Sequence, residues 1–75
     1  MTLDEFVQAF AAEFEETGIE LFTPKTVYKE LDEWSSLTVL SIIAIVDEEF
    51  EKQITGADLR ACNTIEDLYN LVQSK

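Results

Sequence analysis

Histidine is absent from this 75-residue sequence, which also has only one cysteine, one proline and two glycines. Without histidine, the chain lacks the commonest general base and metal ligand of proteins. The lone Cys62 has no partner for an internal disulfide and no histidine to activate it, so we interpret it as a small core residue. Scarce proline and glycine argue against an all-β fold, which needs many tight turns. We therefore expect a helical protein that is not an enzyme.

Basic residues are also scarce, with five lysines and arginines against sixteen acids and a net charge of −11. So negative a surface repels phosphate backbones and anionic lipids, which argues against nucleic-acid or membrane partners and favours proteins with basic patches. No apolar run approaches the roughly 20 residues that span a bilayer. The start, Met1 to Glu5, lacks the basic and apolar regions of a signal peptide. We expect a soluble, cytoplasmic monomer.

The residues that are present are typical of a globular protein, with 47% hydrophobic and 28% charged side chains. The length allows a single domain over residues 1–75. Thr2 and Glu5 form a capping-box pattern, which predicts a helix from Leu3 to Thr17 that Gly18 ends in the left-handed conformation. Its apolar residues recur at helical spacing and are interpreted as core rather than as a ligand pocket: Leu3, Phe6, Val7, Phe10 and Phe14.

A long connection follows, from Ile19 to Trp34. A structureless loop of this length is uncommon in a small domain, and its apolar residues predict that it packs across the helices. Thr23-Pro24 is a candidate for one helical turn, because proline is tolerated at the first helical position. Val27, Tyr28 and Leu31 have helical spacing and are a second candidate.

The central helix is predicted from Ser36 to Lys52, with Ser35 or Ser36 as its N-cap. Steps of 100° predict a core face, flanked by Ile42, that consists of Val39, Ile43, Val46 and Phe50. The opposite face carries apolar and acidic side chains, among them Leu37, Ser41, Ile45 and Glu48. Two interpretations stay open for this face: a docking surface, or apolar residues that are singly exposed or covered by the connection.

Two shorter helices complete the prediction, because Thr55 and Thr64 each precede an acid by three residues. The first is predicted to end near Ala61 or Cys62, and the second to run to about Gln73. The last helix is expected to bury four residues: Ile65, Leu68, Tyr69 and Val72. The predicted fold is all-α, a small four-helix bundle with three longer helices, one short helix and a long first loop.

Few residues are left to carry chemistry. The acidic run Asp47 to Glu51 lies within a helix and lacks the alternate ligands and glycine turn of a calcium loop, so no metal site is predicted. A glycine-rich phosphate loop is also missing. The serine pair remains, because a hydroxyl at a helix N-terminus lies beside free amides that favour an attached phosphate. It is either a simple cap or the acceptor of a phosphoryl-linked group that another enzyme delivers.

The segment from Thr23 to Leu37, which ends Trp34-Ser35-Ser36-Leu37, resembles the approach to the prosthetic-group serine of acyl carrier proteins. Residues 45–50 likewise resemble the second helix of that family. The resemblance implies that Ser36 carries 4′-phosphopantetheine, delivered from coenzyme A by a phosphopantetheinyl transferase. It implies an arm that holds acyl or related groups as thioesters for acyl-processing enzymes, as in fatty acid or polyketide biosynthesis.

The same resemblance implies roles for two further sets of residues. Partner docking falls to Leu37, Ser41, Ile45, Asp47 and Glu48. Sheltering of the acyl chain between helices falls to Phe6, Val39, Ile43, Val46 and Leu68. The family motif is Asp-Ser-Leu, and its aspartate is replaced here by Ser35, which points to a specialised carrier. The alternative is an acidic helical interaction module that keeps a carrier-like fold and is never modified.

Overall fold

A computed structural model describes residues 2–75, and within them the chain forms α-helices joined by turns. The bounds of the helices are Leu3–Ala11 (α1), Ser36–Phe50 (α2), Gly56–Ala61 (α3) and Ile65–Gln73 (α4). Two 3₁₀ turns, Ile19–Leu21 and Tyr28–Glu30, lie in the long connection between α1 and α2. Helix α1 packs against α2 and α4, and α2 also packs against α3. The prediction of a small all-α bundle is confirmed.

Three helices begin at the threonines that the sequence predicts. Thr2, Thr55 and Thr64 each accept a hydrogen bond from the amide three residues later, at distances of 3.1 to 3.2 Å. In return, the acid at that third position accepts from the threonine amide, at 2.8 to 3.1 Å. These reciprocal bonds satisfy donors that the first turn of a helix leaves free. The predicted starts of α1, α3 and α4 are confirmed.

The predicted end of α1 is wrong, because the helix stops at Ala11 rather than at Thr17. The amides of Glu16 and Thr17 donate to the side-chain carboxylate of Glu33 instead of to helical carbonyls. Gly18 has an extended backbone, with φ −63° and ψ 141°, and not the left-handed conformation that was predicted. A carboxylate distant in sequence thus holds residues 16–17 in a conformation that is not helical.

The connection between α1 and α2 packs only in part across the helices. Phe22 and Tyr28 are buried, whereas Ile19 and Leu21 are 64% and 59% exposed, which corrects the prediction for these two residues. Thr23-Pro24 begins a turn closed by a bond from the Thr26 amide to the Thr23 carbonyl, and not a helical turn. The second candidate turn is confirmed as the 3₁₀ turn at Tyr28.

Backbone bonds fasten this connection to α4. The amides of Ile65 and Glu66, at the start of α4, donate to the carbonyls of Thr26 and Pro24 at 3.2 and 2.9 Å. An ion pair of 2.8 Å between Lys25 and Glu66 lies beside these bonds. The free amides of a helix N-terminus therefore hold the long connection in place.

The buried core of residues 2–75 combines five aromatic side chains with nine aliphatic ones. Phe10 lies at its centre, completely buried, and its ring contacts other rings from α1 and from the connection. Ring centroids 4.8 to 6.5 Å apart join all eight aromatic residues of the sequence into one network. Its members are Phe6, Phe10, Phe14, Phe22, Tyr28, Trp34, Phe50 and Tyr69. The interpretation of Phe6, Phe10 and Phe14 as core residues is confirmed.

Helix α2 ends at Phe50 rather than at Lys52, because Glu51 adopts the left-handed conformation with φ 55°. Its most buried residues are Ile42 and Val46, both inaccessible to solvent. Ile42 is therefore at the centre of the core face and does not flank it as predicted. Val39, Ile43 and Phe50 are half-buried beside the core. Among residues 2–75, no helix combines the length and apolarity needed to cross a membrane.

Candidate functional site

The structure separates the two serines at the start of α2. Ser35 is the N-cap, with an extended backbone, and its amide donates to the Thr38 hydroxyl at 2.7 Å. The Thr38 hydroxyl in turn donates to the Ser35 carbonyl at 2.8 Å. Ser36 is the first residue of the helix and is exposed. Its hydroxyl thus lies at the positive end of α2, next to amides with no helical partner.

Trp34 attaches this helix start to the core. Its ring stacks on Phe10, with centroids 6.3 Å apart and planes 2° from parallel. It also contacts Tyr28 at 4.8 Å. The buried Tyr28 hydroxyl donates to the carbonyls of Leu59 and Cys62, at 2.5 and 3.1 Å. Burial raises the pKa of Tyr28, which keeps the hydroxyl protonated as a donor. The position of Ser36 is therefore fixed against α1 and α3.

A groove of about 480 Å³ opens beside Ser36, and we call it the Ser36 groove. It is lined by Trp34, Ser35, Ser36, Val39, Leu40 and Arg60. The sequence reasoning missed two of these. Leu40, 63% exposed, lies one turn after the exposed Leu37, and that three-residue spacing of leucines was a usable signal. Arg60 arrives from α3, and nothing local in the sequence connects it with Ser36.

The five predicted cavity residues are distributed over the core and two grooves. Val39 lines the Ser36 groove, whereas Ile43 lines a second groove of about 260 Å³. Phe6, Val46 and Leu68 are completely buried and line neither of these grooves. The two grooves share Leu40, which stands between them. The structure thus does not bring all five residues to either groove.

A third groove, of about 500 Å³, lies on the α1 side of the helix start, and we call it the acidic groove. Its walls are four acids from residues 13–33 and four residues at the start of α2: Glu13, Glu15, Asp32, Glu33, Ser35, Leu37, Thr38 and Ser41. None of these residues is basic. The sequence reasoning did not assign these acids to the site, because they come from two segments far apart in the chain.

Glu33 shapes the acidic groove. Its Oε1 atom accepts from the Thr17 hydroxyl at 2.6 Å and from the amides of Thr17 and Glu16 at 2.5 and 2.9 Å. These bonds, that from the Thr17 side chain foremost, lower the pKa of Glu33 below its usual value. They tie residues 16–17 to the segment that leads into α2, which sets the two walls of the groove.

The predicted docking residues do not share one environment. Leu37 is 76% exposed, and it lines the acidic groove together with the half-buried Ser41. Asp47 lines the second groove, and Glu48 is exposed. Ile45 is half-buried and packs against the core, so its placement on an outward face is wrong. The leucine that does lie outward beside Leu37 is Leu40.

Cys62 is half-buried, and desolvation raises the pKa of its thiol above the usual value. A raised pKa disfavours the reactive thiolate. Cys62 packs against the core but is half-buried, and not buried as predicted. Within residues 2–75, no group of cysteines and acids has an arrangement that fits a metal ion.

Comparison with protein-family models, with curated proteins and with solved structures finds no match to this chain.

Proposed function

We propose that this protein is an acyl carrier that bears 4′-phosphopantetheine on Ser36. The observation that carries the proposal is the exposed hydroxyl of Ser36 at the first residue of α2, on the rim of a groove that Arg60 also lines. An exposed hydroxyl is accessible to a modifying enzyme. Its surroundings favour a phosphodiester, because helix amides and a guanidinium both stabilise a negative charge.

The chain around Ser36 fits such an arm in two further ways. The apolar side chains of Trp34, Val39 and Leu40 line the Ser36 groove, where they can shield the arm or the first part of its cargo from water. The arm supplies a thiol that forms a thioester, and the protein residues bind and orient it without taking part in bond making. The absence of histidine and the raised pKa of Cys62 agree with this passive role.

Partner enzymes are expected to dock on the same end of the molecule. Leu37 and Leu40 provide exposed apolar contacts there, and the acids Asp47 and Glu48 lie further along α2. With a net charge of −11, the protein attracts basic surfaces and accelerates their encounter. The partners that fit are a phosphopantetheinyl transferase and acyl-processing enzymes with basic patches.

The proposal is tested by incubating the protein with coenzyme A and a panel of phosphopantetheinyl transferases, followed by intact-mass measurement. We expect the mass of the arm to be added to the wild-type protein and to Ser35→Ala, and not to Ser36→Ala. Failure of every transferase to load the wild-type protein, or loading of Ser36→Ala, contradicts the assignment.

A second candidate function is an unmodified acidic interaction module. It is favoured by the absence of any acid from the first turn of α2, where Ser35 replaces the aspartate of the carrier motif. This candidate predicts that protein isolated from its native cell lacks the arm. It also predicts that Ser36→Ala leaves partner binding intact, measured by isothermal titration calorimetry with each partner that is found.

A further inference from the structure

The acidic groove gathers uncompensated negative charge beside the start of α2. Glu13, Glu15 and Asp32 are exposed, and they face a groove whose other wall holds Leu37 and Ser35. The first turn of α2 itself contains no acid. The negative charge at this end of α2 is therefore supplied by residues 13–33 across the groove.

None of the five basic side chains lines the acidic groove, and four of them have partners elsewhere. Lys25 pairs with Glu66 at 2.8 Å, and Lys75 pairs with Asp58 at 3.3 Å. The ammonium groups of Lys29 and Lys52 donate to backbone carbonyls near the ends of α3 and α4. Arg60 lines the Ser36 groove. Since no lysine or arginine lines the acidic groove, a partner protein can place a basic side chain there.

We infer that the acidic groove receives a lysine or arginine from the phosphopantetheinyl transferase that modifies Ser36. The inference rests on the proposed function. Ser35 and Leu37, the two neighbours of Ser36 in sequence, both line the groove, so a protein segment seated there lies next to the acceptor hydroxyl. Leu37, 76% exposed, offers an apolar contact at the same place, and acids around an exposed leucine fit a basic segment with an apolar residue.

This arrangement gives a physical account of the serine that replaces the motif aspartate. A negative charge at position 35 is unnecessary where Glu13, Glu15 and Asp32 present theirs across the groove. Glu33 acts as a positioning residue, because its carboxylate is engaged by Thr17 and by the amide of Glu16. Transferase recognition thus depends on residues outside α2, from two segments that the bonds of Glu33 hold together.

The test compares the rate of transferase loading in two triple variants that lose equal charge. Glu13→Gln, Glu15→Gln and Asp32→Asn are combined in the groove variant. Three exposed acids that do not line the groove are replaced in the control variant: Glu16→Gln, Glu20→Gln and Glu30→Gln. Circular dichroism verifies that both variants fold. With coenzyme A and a transferase that loads the wild-type protein, we expect kcat/KM to fall about tenfold in the groove variant and less than about twofold in the control.

Two further measurements separate electrostatic docking from a loss of structure. Added NaCl is expected to slow loading of the wild-type protein more steeply than loading of the groove variant, because fewer charge pairs remain to be screened. Ser35→Asp, added to the groove variant, is expected to restore part of the rate by returning a charge to the site.

The possible results distinguish the inference from the proposed function. Equal loading rates for the groove and control variants, with the wild-type protein loaded at Ser36, overturn the inference and leave the proposed function in place. If no transferase loads the wild-type protein, the proposed function fails, and the inference fails with it.

Discussion

The Tyr28 hydroxyl links the segment between α1 and α2 to the end of α3. Its side chain is completely buried, and the hydroxyl donates to two backbone carbonyls, of Leu59 and Cys62. Both acceptors lie at the end of α3, where carbonyls lose their helical partners. One side chain thus satisfies two backbone groups that are 31 and 34 residues away in sequence.

We expect Tyr28→Phe to destabilise the protein by about 1–3 kcal/mol, because it leaves these carbonyls without their donor. Tyr28→Leu is expected to cost more, because it also removes the ring contacts with Phe10 and Trp34. Urea unfolding at pH 7 measures both changes in the free energy of unfolding. A Tyr28→Phe variant as stable as the wild-type protein would show that the two bonds contribute nothing.

The hydrogen bonds of the Glu33 carboxylate lead us to expect that the stability of the protein depends on pH. Its usual pKa is 4.5, and in the folded protein the pKa is lower, mainly because of the bond from the Thr17 hydroxyl. A carboxylate with a lowered pKa stabilises the fold fully above its usual pKa, and this stabilisation is lost as the pH falls through the lowered value. We expect Glu33→Gln to be less stable than the wild-type protein at pH 7, and the difference to shrink below about pH 4.5.

Urea titrations of both proteins between about pH 3 and 7 measure this difference. Glu20→Gln, on the exposed first 3₁₀ turn, is the matched control for the loss of one negative charge. A difference between Glu33→Gln and wild type that stays constant with pH, or an equal effect of the control, contradicts the assigned role of Glu33.

At the scale of elements, local patterns predicted where helices begin better than where they end. The starts of α1, α3 and α4 depend on a threonine and an acid three residues apart, both visible in sequence. The conformation of the residues after α1 depends on Glu33, which lies 16 or 17 residues beyond the amides that it binds. Phe14 retains helical spacing and is buried, so periodicity alone overextended the helix.

In the candidate site too, residues that are neighbours in sequence could be predicted, and residues from distant segments could not. Ser36, Leu37 and the N-cap Ser35 follow from one short segment at the start of α2. Arg60 and Glu13 approach that segment only through packing of α3 and of the residues after α1. Leu37 was correctly placed outward and Ile45 was not, because helical phase alone does not reveal which side of α2 its neighbours cover.

The residue that ends α2, Glu51, has an unfavourable backbone conformation. Glu51 occupies the left-handed region, with φ 55°, where a side chain is disfavoured and glycine is not. It also places a negative charge at the negative end of the helix. We expect Glu51→Gly to stabilise the protein by about 0.5–1 kcal/mol, in spite of the greater freedom of glycine in the unfolded chain.

Glu49→Gly is the matched control, because Glu49 is exposed within α2. It loses the same side chain at a helical position, where glycine costs about 1 kcal/mol. The two variants are therefore expected to change the midpoint of thermal unfolding in opposite directions. A fall for both would contradict the conformational argument for Glu51.

Across the molecule, repulsion between the many acidic side chains works against the compact fold. The radius of gyration is 11.0 Å, close to the value of about 11 Å expected for a folded chain of this length. Sixteen acids and five basic residues share that small volume, with a net charge of −11. Mutual repulsion of like charges favours expansion, and dissolved salt weakens it.

We expect NaCl to raise the thermal unfolding midpoint, by about 5 °C for each kcal/mol of repulsion that is screened. Circular dichroism between about 0.02 and 0.3 M NaCl measures the rise. The variant with Glu16, Glu20 and Glu30 replaced by glutamine has less charge, and it is expected to respond less. A midpoint that falls or stays constant with added salt would show that repulsion does not limit the stability of this fold.

Trp34 is an intrinsic fluorescent probe of the Ser36 groove. It is the single tryptophan of the sequence, and its ring has one side against Phe10 and also lines the groove beside Ser36. Indole emission depends on the polarity of its surroundings, so whatever enters or leaves that groove alters the fluorescence without any added dye. Under the proposed function, attachment of the arm to Ser36 is therefore expected to change the emission of the unlabelled protein.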